Sequence, residues 1–134
     1  MQERVSTGQT AILLEERRDA IAILTLNRPE ARNSLSLVLL QELRAAVDRL
    51  SAEKDVRAVV LAANGPTFSA GHDLKELTAH RADPDGGRGF YRTAMETCAN
   101  MMQAILKSPK PFIAAVHATA TAAGCQLVAT CDLA

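Results

Sequence analysis

Two short stretches of small residues are placed to present backbone N–H groups to a ligand. The first stretch, residues 68–74, follows the apolar run 58–62, and the second, residues 118–124, follows the apolar run 111–117. Each stretch leads into a segment with helical character, whose first N–H groups have no partner within the helix. Two such turns on neighbouring parallel strands would direct two N–H donors at one oxygen. That chemistry is the stabilisation of an oxyanion by main-chain donors.

Side chains in and near these turns offer few groups that move a proton. The imidazole of His72 is a candidate general base. Asp73 is placed to cap the helical turn that follows it. Gln126 carries an amide, which donates and accepts hydrogen bonds but does not titrate. We expect His117 to be a hydrogen-bonded turn residue and His80 to lie on a solvated loop.

The hydrophobic pattern predicts an α/β fold that positions both turns. Short apolar runs indicate buried strands, and apolar residues at helical spacing behind Ser34 or Ser36 indicate a capped helix. In open α/β sheets, ligands bind at the carboxyl ends of the strands, where both turns would lie. The predicted elements are strands over 11–16 and 20–26, a helix over 35–50, a strand over 58–62, a helical turn over 74–77, a loop over 80–89, a helix over 90–107, a strand over 111–117 and a helix opening near residue 124.

Composition excludes several classes of partner. The 15 basic and 15 acidic residues balance and are interspersed, so the sequence predicts neither a nucleic-acid surface nor a membrane surface. The apolar runs are too short for a membrane span. Residues 1–10 are predicted to be a disordered tail. The three cysteines are predicted to be buried reduced thiols, and neither they nor the histidines have the spacing of metal ligands, so no metal is expected.

Three motifs in order along the chain resemble the enoyl-CoA hydratase/isomerase (crotonase) family. They are the turn Asn27-Arg28-Pro29, the run Phe-x-Ala-Gly-x-Asp-Leu at residues 68–74 and the Ile-Ala-Ala-Val segment at residues 113–116. Residues 131–134 are similar to the family's next strand entry. The resemblance implies a crotonase-like spiral of strand–strand–helix (ββα) units, truncated before the C-terminal helices. Residues 11–134 would then form an incomplete crotonase-like acyl-CoA-binding domain.

The resemblance also implies a substrate and a site. An acyl-CoA thioester would bind with its carbonyl oxygen between the N–H groups of His72 and Ala123. Coenzyme A is part of that substrate, so no separate cofactor is implied. Arg32 and Lys75 are chemically suited to its phosphates. The implied substrate-binding residues are Ala31, Arg32, Asn33, Ala70, Gly71, Asp73, Leu74, Lys75 and Gly124.

The chain departs from the family's hydratase pattern at the second turn. Gln126 stands where the family has a glutamate that activates water, and the second such glutamate would lie beyond Ala134. Ala118, Ala122 and Ala123 replace glycines that are common in the family. Alanine resists positive φ, so the turn either avoids such angles or is strained.

Two functions are therefore open from the sequence. The first is a lyase or isomerase of fatty-acid and acyl-CoA metabolism that acts through an enolate. The second is a non-catalytic acyl-CoA-binding relative that has lost its acid and base. The resemblance implies a homo-oligomer, a trimer or hexamer, and an uncovered helix after Gly124 would favour association. The expected compartment is the cytoplasm, with the mitochondrial matrix as the alternative.

Overall fold

One five-stranded sheet organises the chain in the computed structural model, which describes the backbone of residues 3–4 and the whole of residues 11–134. Sheet order follows chain order. The β1–β2 and β2–β3 pairs are antiparallel, whereas the β3–β4 and β4–β5 pairs are parallel. The carboxyl ends of the last three strands therefore meet at one edge. The strands are β1 (Glu3–Arg4), β2 (Leu13–Arg18), β3 (Ile21–Leu26), β4 (Ala58–Ala63) and β5 (Phe112–Ala114).

The described part of the chain contains four α-helices in addition to this sheet. They are α1 (Leu37–Ala52), α2 (Leu74–Ala79), α3 (Arg88–Lys107) and α4 (Ala123–Thr130). Ser36 caps α1 by accepting a hydrogen bond from the Leu39 N–H at 3.2 Å, which confirms one of the two predicted caps. The apolar faces of α1 and α3 pack against each other and against alternate residues of β3, β4 and β5. The predicted α/β class is confirmed, and β2, β3 and α1 form a strand–strand–helix unit.

Several local predictions need correction. The segment 80–89 is not a plain loop, since it contains a short 3-10 helix at His80–Ala82 and the start of α3. Strand β5 has three residues rather than seven. After it, the Ala115 N–H still donates to the Leu61 carbonyl at 2.8 Å, and then the chain leaves the sheet toward the second turn. The tail predicted for residues 1–10 falls outside the described residues, apart from Glu3–Arg4.

The cysteines differ from one another in burial. Cys98 is buried, and Cys131 is half-buried with a pKa raised to about 11 by burial and by the nearby Asp132 carboxylate. Cys125 is exposed, so the prediction of three buried thiols is wrong at this position. The reason is that α4 buries only the face that carries Ala123, Gly124 and Leu127.

None of the helices in the described part of the chain combines the length and the apolarity needed to cross a bilayer.

Candidate active site

The two turns of small residues lie side by side at the carboxyl edge of the sheet. The Phe68 N–H donates to the Thr119 carbonyl at 2.9 Å, and the Thr121 N–H donates to the Ser69 carbonyl at 3.0 Å. Ser69 and Ala120 are thereby paired as an isolated parallel bridge. The turns are thus joined by main-chain hydrogen bonds, which do not depend on side-chain identity.

The direction of the His72 N–H follows from the peptide bond that carries it. The Gly71 carbonyl accepts from the Leu35 N–H at 2.7 Å. Because a trans peptide points its C=O and N–H in opposite directions, the His72 N–H points away from Leu35. Gly71 has φ +93, and a Cβ there would lie 3.1 Å from the Ala123 nitrogen, so the two segments are in contact.

The direction of the Ala123 N–H also follows from its peptide bond. The Ala122 carbonyl accepts from the Gln126 N–H at 3.1 Å inside α4, so the Ala123 N–H points out of the amino end of that helix. Within residues 11–134, neither the His72 N–H nor the Ala123 N–H donates to any protein acceptor. Two donors from contacting turns are therefore available to a ligand.

Strain in the second turn is confined to one alanine. Ala122 has φ 51 and ψ −128, a conformation that favours glycine, whereas Ala118 and Ala123 have no positive φ. Such a residue costs about 1–3 kcal/mol and persists only when its surroundings hold it. Here the hydrogen bonds of Thr121 and Gln126 hold the peptides on either side. The strained angle sets the orientation of the peptide that carries the Ala123 N–H.

A cavity of about 830 Å³ opens beside the first turn. It is formed by the loop that follows β3 and by the residues that lead into α2, so segments distant in sequence meet there. The structure brings seven of the predicted site residues to its wall: Ala31, Arg32, Ala70, His72, Asp73, Leu74 and Lys75. Four further residues at the wall were not predicted from the sequence: Arg28, Glu30, Ser34 and Glu76.

Asn33 shapes the cavity instead of lining it. The residue is fully buried, and its Oδ1 accepts from the Arg28 N–H at 2.8 Å. Its Nδ2 donates to the carbonyls of Asn64 and Thr67 at 2.8 and 2.9 Å. The predicted substrate contact from this side chain is therefore wrong, because its polar atoms tie the loop after β3 to the loop after β4.

Gly124 and Gln126 also lie outside the cavity wall. A Cβ on Gly124 would lie 2.8 Å from the Ser69 carbonyl carbon and closer still to its oxygen, so this glycine lets α4 approach the first turn. Its role is close packing and not the predicted substrate contact. Gln126 is on the exposed side of α4, and its backbone carbonyl accepts from the Thr130 hydroxyl at 2.7 Å.

Asp73 has the predicted capping role and a partner that was not predicted. Its Oδ1 accepts from the Glu76 N–H at 3.1 Å, and its Oδ2 accepts from Arg28 Nη2 at 3.1 Å. Partial burial works to raise the pKa of Asp73, but the hydrogen bonds from Glu76 and Arg28 outweigh it, and the net pKa is lowered. The carboxylate is therefore ionised at neutral pH and committed to these two contacts.

The three histidines differ in their burial and in their contacts. Burial lowers the pKa of His72, so its imidazole at the cavity wall is neutral at neutral pH. His117 Nε2 lies 2.6 Å from the Gly65 carbonyl, which confirms the expected hydrogen-bonded turn residue. His80 stacks on Phe90 with ring centroids 3.6 Å apart, and its Nδ1 lies 2.7 Å from Asp83 Oδ2. Its side chain is still 35% exposed, and it begins a 3-10 helix instead of lying on the predicted loop.

Comparison with known proteins identifies the family of this chain. The model of the family described as enoyl-CoA hydratase/isomerase matches residues 16–134. The chain belongs to the enoyl-CoA hydratase/isomerase family. The resemblance of the three motifs to this family is thereby confirmed.

Relatives of known structure share the fold. The crystal structure of an enoyl-CoA hydratase from Mycobacterium smegmatis is 50% identical, with a TM-score of 0.84 over 92% of this chain and 46% of that one. Human enoyl-CoA hydratase domain-containing protein 3 is 39% identical, with a TM-score of 0.83 over 91% of this chain and 46% of that one. The predicted crotonase-like fold, truncated relative to these structures, is confirmed.

The chain spans less than half the length of each of the relatives named here. The rat mitochondrial enoyl-CoA hydratase domain-containing protein 3 is 42% identical over 117 residues, which is 87% of this chain and 37% of that protein. Both turns of this enoyl-CoA hydratase/isomerase family member lie within residues 16–134, which the family model matches.

Proposed function

We propose that this chain binds an acyl-CoA thioester and holds its carbonyl oxygen between the N–H groups of His72 and Ala123. One observation carries the proposal: two contacting turns leave these N–H groups without protein acceptors, while hydrogen bonds fix the peptides around them. Donors fixed before the ligand arrives need no reorganisation when charge develops on an oxygen, and one such donor is worth about 10²–10³ in rate. A thioester that loses an α-proton or gains a nucleophile develops such a charge.

The cavity beside the first turn suits the coenzyme A part of the ligand. Its volume of about 830 Å³ is in the range of small-molecule sites. Arg32 and Lys75 are exposed on its wall, where their charges are free to meet phosphates. Arg28 also lines the wall, but its charge is balanced by Asp73 at 3.1 Å. We propose Arg32 and Lys75, and not Arg28, as the phosphate ligands.

The second candidate, binding without hydration, has its own support. Gln126 cannot exchange a proton, and two of the three carboxylates at the cavity wall, those of Asp73 and Glu76, are already engaged. Asp73 pairs with Arg28, and Glu76 Oε1 accepts from the Leu37 N–H at 2.9 Å. We propose that these 134 residues bind the thioester and polarise it but supply no general base for hydration.

Compartment, assembly and metal use stay predictions. The rat relative is named as mitochondrial, which supports the matrix alternative for this chain over the cytoplasm. Val116 and Leu133 are 41% and 64% exposed at the edge of the sheet, which favours association into the predicted homo-oligomer. We also propose that the chain uses no metal, because its cysteines and histidines lack the spacing of metal ligands. We propose no separate cofactor, because coenzyme A is part of the proposed substrate.

Carbonyl recognition is testable by comparing two ligands that differ only in one oxygen. Butyryl-CoA carries the thioester carbonyl, whereas S-butyl-CoA is the thioether without it. Two hydrogen bonds, each worth about 0.5–1.5 kcal/mol, predict that butyryl-CoA binds roughly 10- to 100-fold more tightly. Isothermal titration calorimetry of the chain with both ligands measures this ratio. Equal dissociation constants, or no binding of either ligand, would contradict the proposal.

A further inference from the structure

Arg28 is fixed to two separate segments at the cavity wall. Its Nη1 donates to the Ser34 carbonyl at 2.7 Å, and its Nη2 donates to Asp73 Oδ2 at 3.1 Å. The two side chains of the ion pair are only 18% and 14% exposed. The pair is therefore shielded from much of the solvent screening that weakens surface ion pairs. Arg28 thus links the loop after β3 to the residue that follows His72.

His72 lies between two anchored neighbours. On one side, the Gly71 carbonyl accepts from the Leu35 N–H at 2.7 Å. On the other side, the Asp73 N–H donates weakly to the Leu35 carbonyl at 3.4 Å, while the Asp73 carboxylate binds Arg28 and the Glu76 N–H. The backbone bond on the Asp73 side is the longer one. The hydrogen bonds of the Asp73 side chain therefore contribute much of the restraint on this end of the segment.

We infer that Arg28 and Asp73 form a positioning pair, which holds the His72 N–H in the direction needed to meet a thioester carbonyl. The inference rests on the function proposed above. Arg28 acts through Asp73 and is not a phosphate ligand in this inference, because the Asp73 carboxylate at 3.1 Å balances its charge and the Ser34 carbonyl holds its other terminal nitrogen. The pair is consequently a determinant of carbonyl recognition and not of coenzyme A affinity.

The test uses variants that separate pairing from capping. Arg28→Gln removes the cation, and Asp73→Ser removes the anion while keeping a side chain that caps helices as well as aspartate does. Arg18→Gln is the matched control, because Arg18 also pairs with a carboxylate, Glu16, but on the exposed hairpin. Dissociation constants for butyryl-CoA, S-butyl-CoA and coenzyme A, with Tm in parallel, are measured for each chain and for the double variant.

Each single variant is expected to lower the preference for butyryl-CoA over S-butyl-CoA by about 3- to 10-fold, the worth of one weakened hydrogen bond. The double variant should lose no more than either single one, because both changes break the same link. The affinity for coenzyme A should be unchanged in each variant. The Arg18→Gln chain should keep the preference of the unaltered chain for butyryl-CoA over S-butyl-CoA. If Arg28→Gln fails to fold, Asp73→Ser alone decides the question.

Three outcomes would overturn the inference, and one of them would assign Arg28 a different role. An unchanged preference with a lowered Tm would make the pair purely structural. Equal losses for all three ligands in Arg28→Gln would make Arg28 a direct phosphate ligand. A wild-type chain that already binds butyryl-CoA and S-butyl-CoA equally would contradict the proposed function itself, and the inference would fall with it.

Discussion

Replacing Gly124 with alanine is expected to lower the free energy of unfolding by about 3 kcal/mol, the upper part of the range for overpacked sites. The new Cβ would lie 2.8 Å from both the carbonyl carbon and the Cβ of Ser69. Ser69 cannot withdraw cheaply, since its carbonyl accepts from Thr121 and its hydroxyl donates to the Asn33 carbonyl. The substitution should therefore force the two turns apart, and thioester binding should be lost together with stability.

Gly89→Ala is the matched control for this prediction. A Cβ at Gly89 would meet only Asp85 Oδ2, at 2.9 Å, which is the mobile end of a side chain. Alanine is also the better residue within a helix, so stability should change by no more than about 1 kcal/mol. Urea denaturation followed by circular dichroism compares the midpoints of the two variants. A Gly124→Ala chain as stable as Gly89→Ala would show that the turns are not packed as described.

Replacing Gln126 with glutamate is expected to raise the rate of crotonyl-CoA hydration by about 10²-fold, the lower end of what a general acid or base contributes. The oxyanion donors of His72 and Ala123 are already in place, so the missing component is a group that exchanges a proton. Gln126 lies on α4, the helix that begins at Ala123, and its side chain is exposed to solvent. Loss of the ultraviolet absorbance of the enoyl thioester follows the reaction.

The control for charge alone is Gln41→Glu, the same change at an exposed position of α1. This variant should hydrate crotonyl-CoA no faster than the unaltered chain. An unaltered chain that is as fast as Gln126→Glu would refute binding without hydration and favour an enzyme with another base. A Gln126→Glu chain that binds the thioester but shows no gain would mean that position 126 does not reach the reacting atoms.

Sequence reasoning succeeded where the signal is local. The capping role of Asp73 depends on one side chain and the N–H groups just after it, so the residue type was enough to predict it. The helical periodicities before residues 52 and 107 gave α1 and α3 to within a few residues.

The features that were missed depend on contacts between distant segments. Arg28 and Asp73 are 45 residues apart, and nothing in either neighbourhood indicates that they pair. Asn33 looks like an exposed polar residue in a loop, yet it is buried because it bonds to two carbonyls more than 30 residues away. The exposure of Cys125 depends on which face of α4 meets the sheet, and composition does not determine that.

Ala122 combines a feature that the local sequence predicts with one that depends on contacts between distant segments. The sequence shows that alanines replace turn glycines, which requires either ordinary angles or strain. Only the fold shows which residue is strained, since the hydrogen bonds around Ala122 impose φ 51 there and leave Ala118 and Ala123 at ordinary angles. The residue types showed that a strained backbone angle was possible in this turn. The tertiary hydrogen bonds determined that Ala122 is the residue that has it.

The most direct measurement is the amide spectrum of the ¹⁵N-labelled chain during titration with butyryl-CoA and, separately, with S-butyl-CoA. Butyryl-CoA is predicted to move the amide protons of His72 and Ala123 downfield together, because both N–H groups would donate to the same carbonyl oxygen. S-butyl-CoA should leave these two signals nearly in place while it perturbs residues around the cavity. Identical spectra with the two ligands, or a shift in only one of the two amides, would contradict a shared oxyanion site.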